Sequence, residues 1–155
     1  MVRQIQKTLL STALLFSFTQ AHAGPEHRDL TVEEANRTLV VGFYEQFFNQ
    51  HQVERAAKVV VDNYKQHNPD VPDGKTPFVN YFDDYFKKNP QSRARVVRSA
   101  TEGDLVYLHV HSTSGPQDRG QAVLDIFRVR DGRIVEHWDV IQEVPEKSAN
   151  DNGMF

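Results

Sequence analysis

The spacing of apolar residues changes character near residue 90. Ahead of that point they recur every three to four positions. In "TVEEANRTLVVGFYEQFFNQ", Ala35, Leu39, Phe43 and Phe47 stand four apart, and Val40 and Tyr44 widen the stripe. That period predicts a helix with one core-facing side. Thr31 is its expected N-cap, with Glu34 as the reciprocal capping-box residue. "VERAAKVVV" reads as a second, shorter helix. In "DNYKQHNPDVPDG", Pro69, Pro72 and Gly74 then enforce a loop. "TPFVNYFDDYFKK" reads as a third helix, with Phe78, Phe82 and Phe86 on one face and Pro90 ending it. Beyond Pro90 the period falls to two, which predicts strands over about residues 93–101, 105–113, 121–130 and 133–143. "EGD" and "RDG" mark tight hairpins, and "STSGPQDRG" is a longer exposed connection. Helices followed by an antiparallel meander imply an α+β domain with the helices gathered against one face of a curved sheet. No internal repeat or low-complexity tract interrupts the chain.

The first residues read differently. Arg3 and Lys7 precede an uncharged apolar run, Thr8–Phe18, and "AHA" follows at residues 21–23. These are the parts of a secretory signal peptide, and the run is shorter than the ~20 residues a spanning helix needs. Residues 1–23 are therefore expected to be removed and residues 24–30 to form a loose lead-in. One domain would follow over residues 31–145, with a polar tail over 146–155. The expected location is periplasmic or secreted. Loss of Arg3 and Lys7 takes the formal charge from −3 to about −5. That mild acidity suggests neither nucleic acid nor, once the leader is gone, a membrane as partner. The chain has no cysteine, which excludes disulfides, thiol nucleophiles and Cys-type zinc sites.

With these elements in place, "YKQHNP" (residues 64–69), "LHVH" (108–111), "AVLDIFRVRDGRIVEHWDVIQ" (122–142) and the "NDNGMF" tail together resemble the SnoaL-like polyketide cyclase group of the nuclear transport factor 2-like superfamily. The resemblance runs from about Thr31 to Phe155. It implies a cone-shaped, strongly curved antiparallel sheet, its mouth closed by three N-terminal helices around an apolar pocket. It also implies an acid/base aspartate, which falls on Asp125, and polar ligand-binding side chains on the preceding strand, which fall on His109 and His111. The motif match sets His67 at the pocket mouth. A homodimer is a family-based expectation.

The residues themselves add chemistry. Asp125 lies among Val123, Leu124, Ile126 and Phe127, so its carboxylate is buried with a partner or with a raised pKa. Such an aspartate can take a proton from carbon beside a carbonyl and return it elsewhere. His109 and His111 share one strand face with Leu105 and Tyr107. In a pocket they would donate to a developing enolate oxygen or relay a proton to Asp125. "EHWDV" offers His137 with Asp139 on one face and Glu136 with Trp138 on the other, and periodicity leaves open which pair looks inward. Trp138 reads as pocket wall, and His137 with Asp139 as a second polar pair.

Three functions fit. The first is a cofactor-independent enzyme that performs aldol-type cyclisation, isomerisation or dehydration on a small, largely apolar carbonyl compound. The second is a non-catalytic module that binds a small hydrophobic molecule or dimerises. The third is a metal enzyme, because Gly103 and the His-x-His of "GDLVYLHVH" resemble a first cupin motif; the glutamate expected a few residues later is replaced by "STSG". G-x-S-x-G and glycine-rich phosphate loops are absent from the sequence, which argues against nucleophilic hydrolysis and nucleotide cofactors.

Overall fold

The computed structural model describes residues 28–155. The expected signal peptide at 1–23 and most of the lead-in lie outside the described residues. Helix α1 (Leu30–Tyr44) is capped by Asp29, whose carboxylate accepts from the backbone of Thr31 and Val32 at 3.0 and 3.1 Å. The expected cap thus moves two residues earlier. Asp there satisfies two otherwise orphaned N–H groups at once, and Glu34 pairs with Arg37 instead. The helix continues through a π-helical turn, Glu45–Asn49. The turn shifts the side-chain register, so that Phe47 enters the core while Phe48 borders a cavity. Helix α2 is a single turn (Val53–Ala56) tightened into a 3-10 turn, Ala57–Val59.

The segment after α2 departs from the sequence reading. Val60–Gln66 is neither helix end nor loop but a strand, β1, lying parallel to β5 with Gln66 beside His137. Its β-branched start is strand-like, and Val60 and Tyr64, an even number of residues apart, are both buried. The prolines that suggested a loop come only after it. Helix α3 (Lys75–Lys88) is followed by β2 (Arg93–Glu102), β3 (Leu105–Thr113), β4 (Gln121–Arg130) and β5 (Arg133–Glu143), close to the expected bounds. The architecture is α+β, and the sheet is mixed, in the order β1-β5-β4-β3-β2. The β4–β5 loop is a two-residue turn with positive φ at Asp131 and Gly132, the backbone that matches strand twist. Irregularities in the β1–β5, β2–β3 and β4–β5 ladders bend the sheet.

One face of this sheet holds Val106, Leu108, Val110, Val123, Phe127 and Ile134. Phe43, Phe47, Phe78 and Phe86 from α1, its π turn and α3 pack over it, with Phe47 and Phe78 stacked at 4.7 Å. The other face carries Leu124 and Val140, both exposed, beside Trp138. Gly120 closes the β3–β4 connection at φ +78°, where a Cβ would fall 2.1 Å from the Ser112 carbonyl oxygen. Among the described residues no helix is long and apolar enough to cross a membrane.

A buried carboxylate fastens α1 to the sheet. Glu33, 3% exposed, is bound by the Arg28 guanidinium (2.7 Å from Nε), the Thr101 hydroxyl (2.9 Å) and the Gly103 backbone N–H (3.2 Å). The Arg28 hydrogen bond leads the causes that lower its pKa to about 2. A folded-state pKa below the unfolded one contributes stability above the unfolded value, lost as pH falls through the folded one. Urea titrations should therefore show wild-type stability declining between about pH 4.5 and pH 2. Glu33→Gln is expected to be less stable at pH 7 and to decline less over that acid window.

Candidate functional site

Strand register decides which side chains meet. In β3 and β4, Leu108 stands opposite Asp125, and in β4 and β5 Asp125 stands opposite Asp139. Directly opposed residues share a face, so Asp125, His137 and Asp139 all turn toward the helices. They line a cavity of about 300 Å³. Tyr44, Tyr64, Gln66 and Asn68 complete its polar end, and Phe48, Phe78, Phe82, Phe86 and Phe127 form much of the wall. Ser92, Arg93, Ser112, Thr113 and Gln121 add polar lining.

The polar end is a connected hydrogen-bond network. The Tyr44 hydroxyl donates to Asp125 Oδ2 at 2.8 Å. His137 Nε2 lies 2.8 Å from Asp125 Oδ1, and His137 Nδ1 lies 2.7 Å from Gln66 Oε1. Gln66 Oε1 also accepts from the backbone N–H groups of His67 and Asn68, each at 3.0 Å. That identifies it as the amide oxygen, so His137 Nδ1 must carry a hydrogen to meet it. The contact between Nε2 and Oδ1 then needs one more proton, because two lone pairs at 2.8 Å would repel. Asp125 and His137 therefore share a single proton, held either as imidazolium and carboxylate or as imidazole and carboxylic acid. Asn68 completes the network: its Oδ1 accepts from the Asp70 N–H (2.9 Å) and its Nδ2 donates to Asp139 Oδ2 (2.7 Å).

Burial explains why these groups are paired. Asp125 and His137 are 5% and 7% exposed, and an isolated charge there would be strongly disfavoured. Burial, then the negative charge of Asp125, pushes the phenol of Tyr44 well above its ordinary pKa. Burial followed by Asp125 and Asp139 does the same to Tyr64. Both phenols thus stay protonated, and that of Tyr44 donates to Asp125.

Five residues expected in the pocket lie outside it. His109 and His111 pair with Leu124 and Ala122 on the outer face of the sheet, and Tyr107 pairs with Ile126 there. The expectation that the two histidines face Asp125 is corrected by this register. Val106, Leu108 and Val110 take the inward positions of β3, and strand alternation leaves the histidines outside. His109 Nδ1 meets Arg98 at 3.1 Å, His111 Nε2 donates to the Arg119 carbonyl at 2.8 Å, and Tyr107 donates to Glu102 at 3.2 Å. Phe155 stacks on His111 at 4.2 Å between ring centroids, so the C-terminal residue docks on the outer face. Trp138 is not a pocket wall either. It stacks on His67 at 4.6 Å, and the Arg128 guanidinium lies 5.5 Å from its ring. His67 is drawn outward with it and bonds Glu136 at 2.8 Å. That bond, with Arg128 beside it, holds the Glu136 carboxyl below its usual range.

The inward set that replaces them, Tyr64, Gln66 and Asn68, sits two residues apart in "YKQHN". That spacing signals a strand, hidden by the prolines that come after it. Tyr44 belongs to the core stripe of α1, and nothing in that stripe separates a pocket residue from a packing one. The metal reading changes place too. Among the described residues, the group able to hold an ion is Asp125, His137 and Asp139, whose donor atoms lie within 4.8 Å of one another. His109 and His111 are not part of it.

The model of the SnoaL-like polyketide cyclase family matches residues 38–148. Among curated proteins no sequence matches. Solved structures give the fold. A proposed ketosteroid isomerase from Kribbella flavida DSM 17836 is 17% identical at a TM-score of 0.64, covering 79% of this chain and 88% of its own. A proposed polyketide cyclase from Bacillus cereus ATCC 10987 is 21% identical at 0.58, covering 69% and 74%. A nuclear transport factor 2-like protein of unknown function from Cytophaga hutchinsonii ATCC 33406 is 18% identical at 0.59, covering 69% and 89%. At these identities the likeness is one of fold. The family match spans most of the domain, including every inward-facing polar residue of the network, and the chain belongs to the SnoaL-like polyketide cyclase family.

Proposed function

We propose that the protein is a cofactor-independent acid/base enzyme acting on a small, mainly apolar carbonyl compound bound in the cavity. The observation that carries this reading is the single proton shared by Asp125 and His137 at the polar end of an aromatic-walled pocket. A pair holding one proton can accept another as carboxylate and return it as acid. With Asp125 ionised, its carboxylate takes a proton from the carbon beside the carbonyl. The C–H bond breaks, an O–H bond forms on Asp125, and the electron pair moves into a new C=C bond and onto the carbonyl oxygen. Return of the proton to a different carbon is isomerisation. Attack of the carbanion on a second carbonyl, with the Asp125 proton passing to the alkoxide formed, is aldol-type cyclisation. Cleavage of the C–O bond of a β-hydroxyl, which takes the Asp125 proton and leaves as water, is dehydration. The family name and the neighbour described as a ketosteroid isomerase support this group of reactions. His137 holds the balancing proton, and Gln66 fixes its ring. Tyr44 orients Asp125.

The expected outcome is deuterium exchange at the α-carbon of small cyclic ketones such as 2-tetralone in D₂O, followed by NMR. Asp125→Asn should slow that exchange by about 10²- to 10⁴-fold, with ketone affinity kept within a few-fold. Unchanged exchange would remove Asp125 from the chemistry. Ketone binding to wild type without exchange would favour the non-catalytic carrier.

Export and assembly belong to the same proposal. The basic start, apolar run and "AHA" of residues 1–23 support removal of a signal peptide and a periplasmic or secreted location. The outer sheet face, with Leu124 at 42% and Val140 at 67% exposure beside Trp138, supports a homodimer formed there. Native mass spectrometry of protein recovered from the export compartment should give a dimer of chains that begin near Gly24. A full-length chain would refute export processing, and a monomer would refute the dimer.

A further inference from the structure

Tyr64 is 1% exposed and lines the cavity. Among the described residues its hydroxyl donates no hydrogen bond, and its oxygen has only the Gln66 side chain beside it, whereas every other polar side chain at that end is bonded to a partner. The neighbouring Tyr44 hydroxyl is committed to Asp125, His137 is bonded through both ring nitrogens, and the Asn68 amide is bonded through both of its ends. Gln66 is the polar side chain two residues along the strand. Its oxygen is occupied by His137 and two backbone N–H groups, so it offers the phenol only its NH₂. The phenol proton therefore has no acceptor among the described residues. Among the described residues no fully buried side-chain polar atom lacks a partner, so this hydroxyl opens onto the cavity, and a donor there without a protein acceptor is set for an acceptor that arrives from outside.

We infer that Tyr64 is a substrate-contacting residue whose O–H donates to the oxygen of a neutral carbonyl ligand. The inference rests on the acid/base reading and narrows it. The ligand must present an acceptor oxygen to Tyr64 while its α-carbon faces the carboxylates. Two aspartates at the same end disfavour a ligand that brings a carboxylate there, which selects ketones, aldehydes or esters over free acids. As the α-proton leaves, charge develops on that oxygen and the Tyr64 hydrogen bond strengthens, which is how an oxyanion donor lowers a barrier. Burial and the nearby carboxylates keep the phenol protonated, so it serves as donor and not as base.

The test uses two probes with one skeleton: 1-indanone labelled with ¹³C at the carbonyl, and indane, which lacks the oxygen. Affinities are measured by calorimetry and the carbonyl stretch by isotope-edited infrared spectroscopy, on wild type and Tyr64→Phe. The substitution removes one oxygen and keeps the ring that packs on Phe78. Wild type is expected to bind 1-indanone more tightly than indane and to shift the carbonyl stretch to lower frequency. Tyr64→Phe should bind indane as before, lose about five- to tenfold on 1-indanone, and return the stretch toward its value in apolar solvent. A shift that survives Tyr64→Phe assigns the donor elsewhere and overturns the inference while leaving the pocket intact. Failure of both probes to bind wild type overturns the pocket reading and the role of Tyr64 with it.

Discussion

A carboxylate buried among phenylalanines has to be held by something, and Asp125 is held through three elements. Tyr44 reaches it from α1, His137 from β5, and Gln66 from β1 fixes His137 in turn. The network therefore ties α1 to three strands, β1, β4 and β5. Removing one partner from such a network costs far more than the hydrogen bond lost, because the remaining charge stays in a poorly solvated place. The arrangement is poor as a device for stability alone, since apolar side chains of similar volume serve as well or better. What sets the pair apart is the proton that it retains next to a cavity.

The curvature of the sheet gives that proton a room. Irregularities in three ladders bend the strands, and the aromatic faces of α1 and α3 cover the inner side. The two sides of the sheet then have different work. The inner side carries Asp125, His137 and Asp139. The outer side carries His109, His111, Trp138 and His67, tied to arginine, glutamate, a backbone carbonyl and Phe155. Those contacts orient the outer histidines without giving them access to the cavity.

Much of this was legible in the sequence. The helical period of α1, the phenylalanine face of α3 and the two-residue period of β3, β4 and β5 announce their elements directly, although Ala35, expected on the core face of α1, is exposed and Val40, Phe43 and Tyr44 are the apolar residues buried there. Asp125 stands out because its neighbours are apolar on both sides. The direction it faces does not, since Val123 and Phe127 alternate with equally apolar Leu124 and Ile126. Only the pairing of β3 with β4 settles it, and the long connection between them leaves that register unspecified. Once Val106, Leu108 and Val110 are recognised as the apolar side of β3, the histidines fall outside. Strand β1 was hidden for another reason. Its partner is β5, the last strand along the chain, and no local signal carries a parallel pairing across the three strands and the helix between them.

Neutron diffraction from a deuterated crystal reads the shared proton directly. One deuteron is expected between Asp125 Oδ1 and His137 Nε2, a second on His137 Nδ1 pointing at Gln66 Oε1, and a third on the Tyr44 hydroxyl pointing at Asp125 Oδ2. A bare Nδ1, with the Gln66 amide reversed to donate to it, would contradict the account. His137 would then be a neutral imidazole whose single N–H donates to the Asp125 carboxylate, and the pair would lack the additional proton that the account assigns to it.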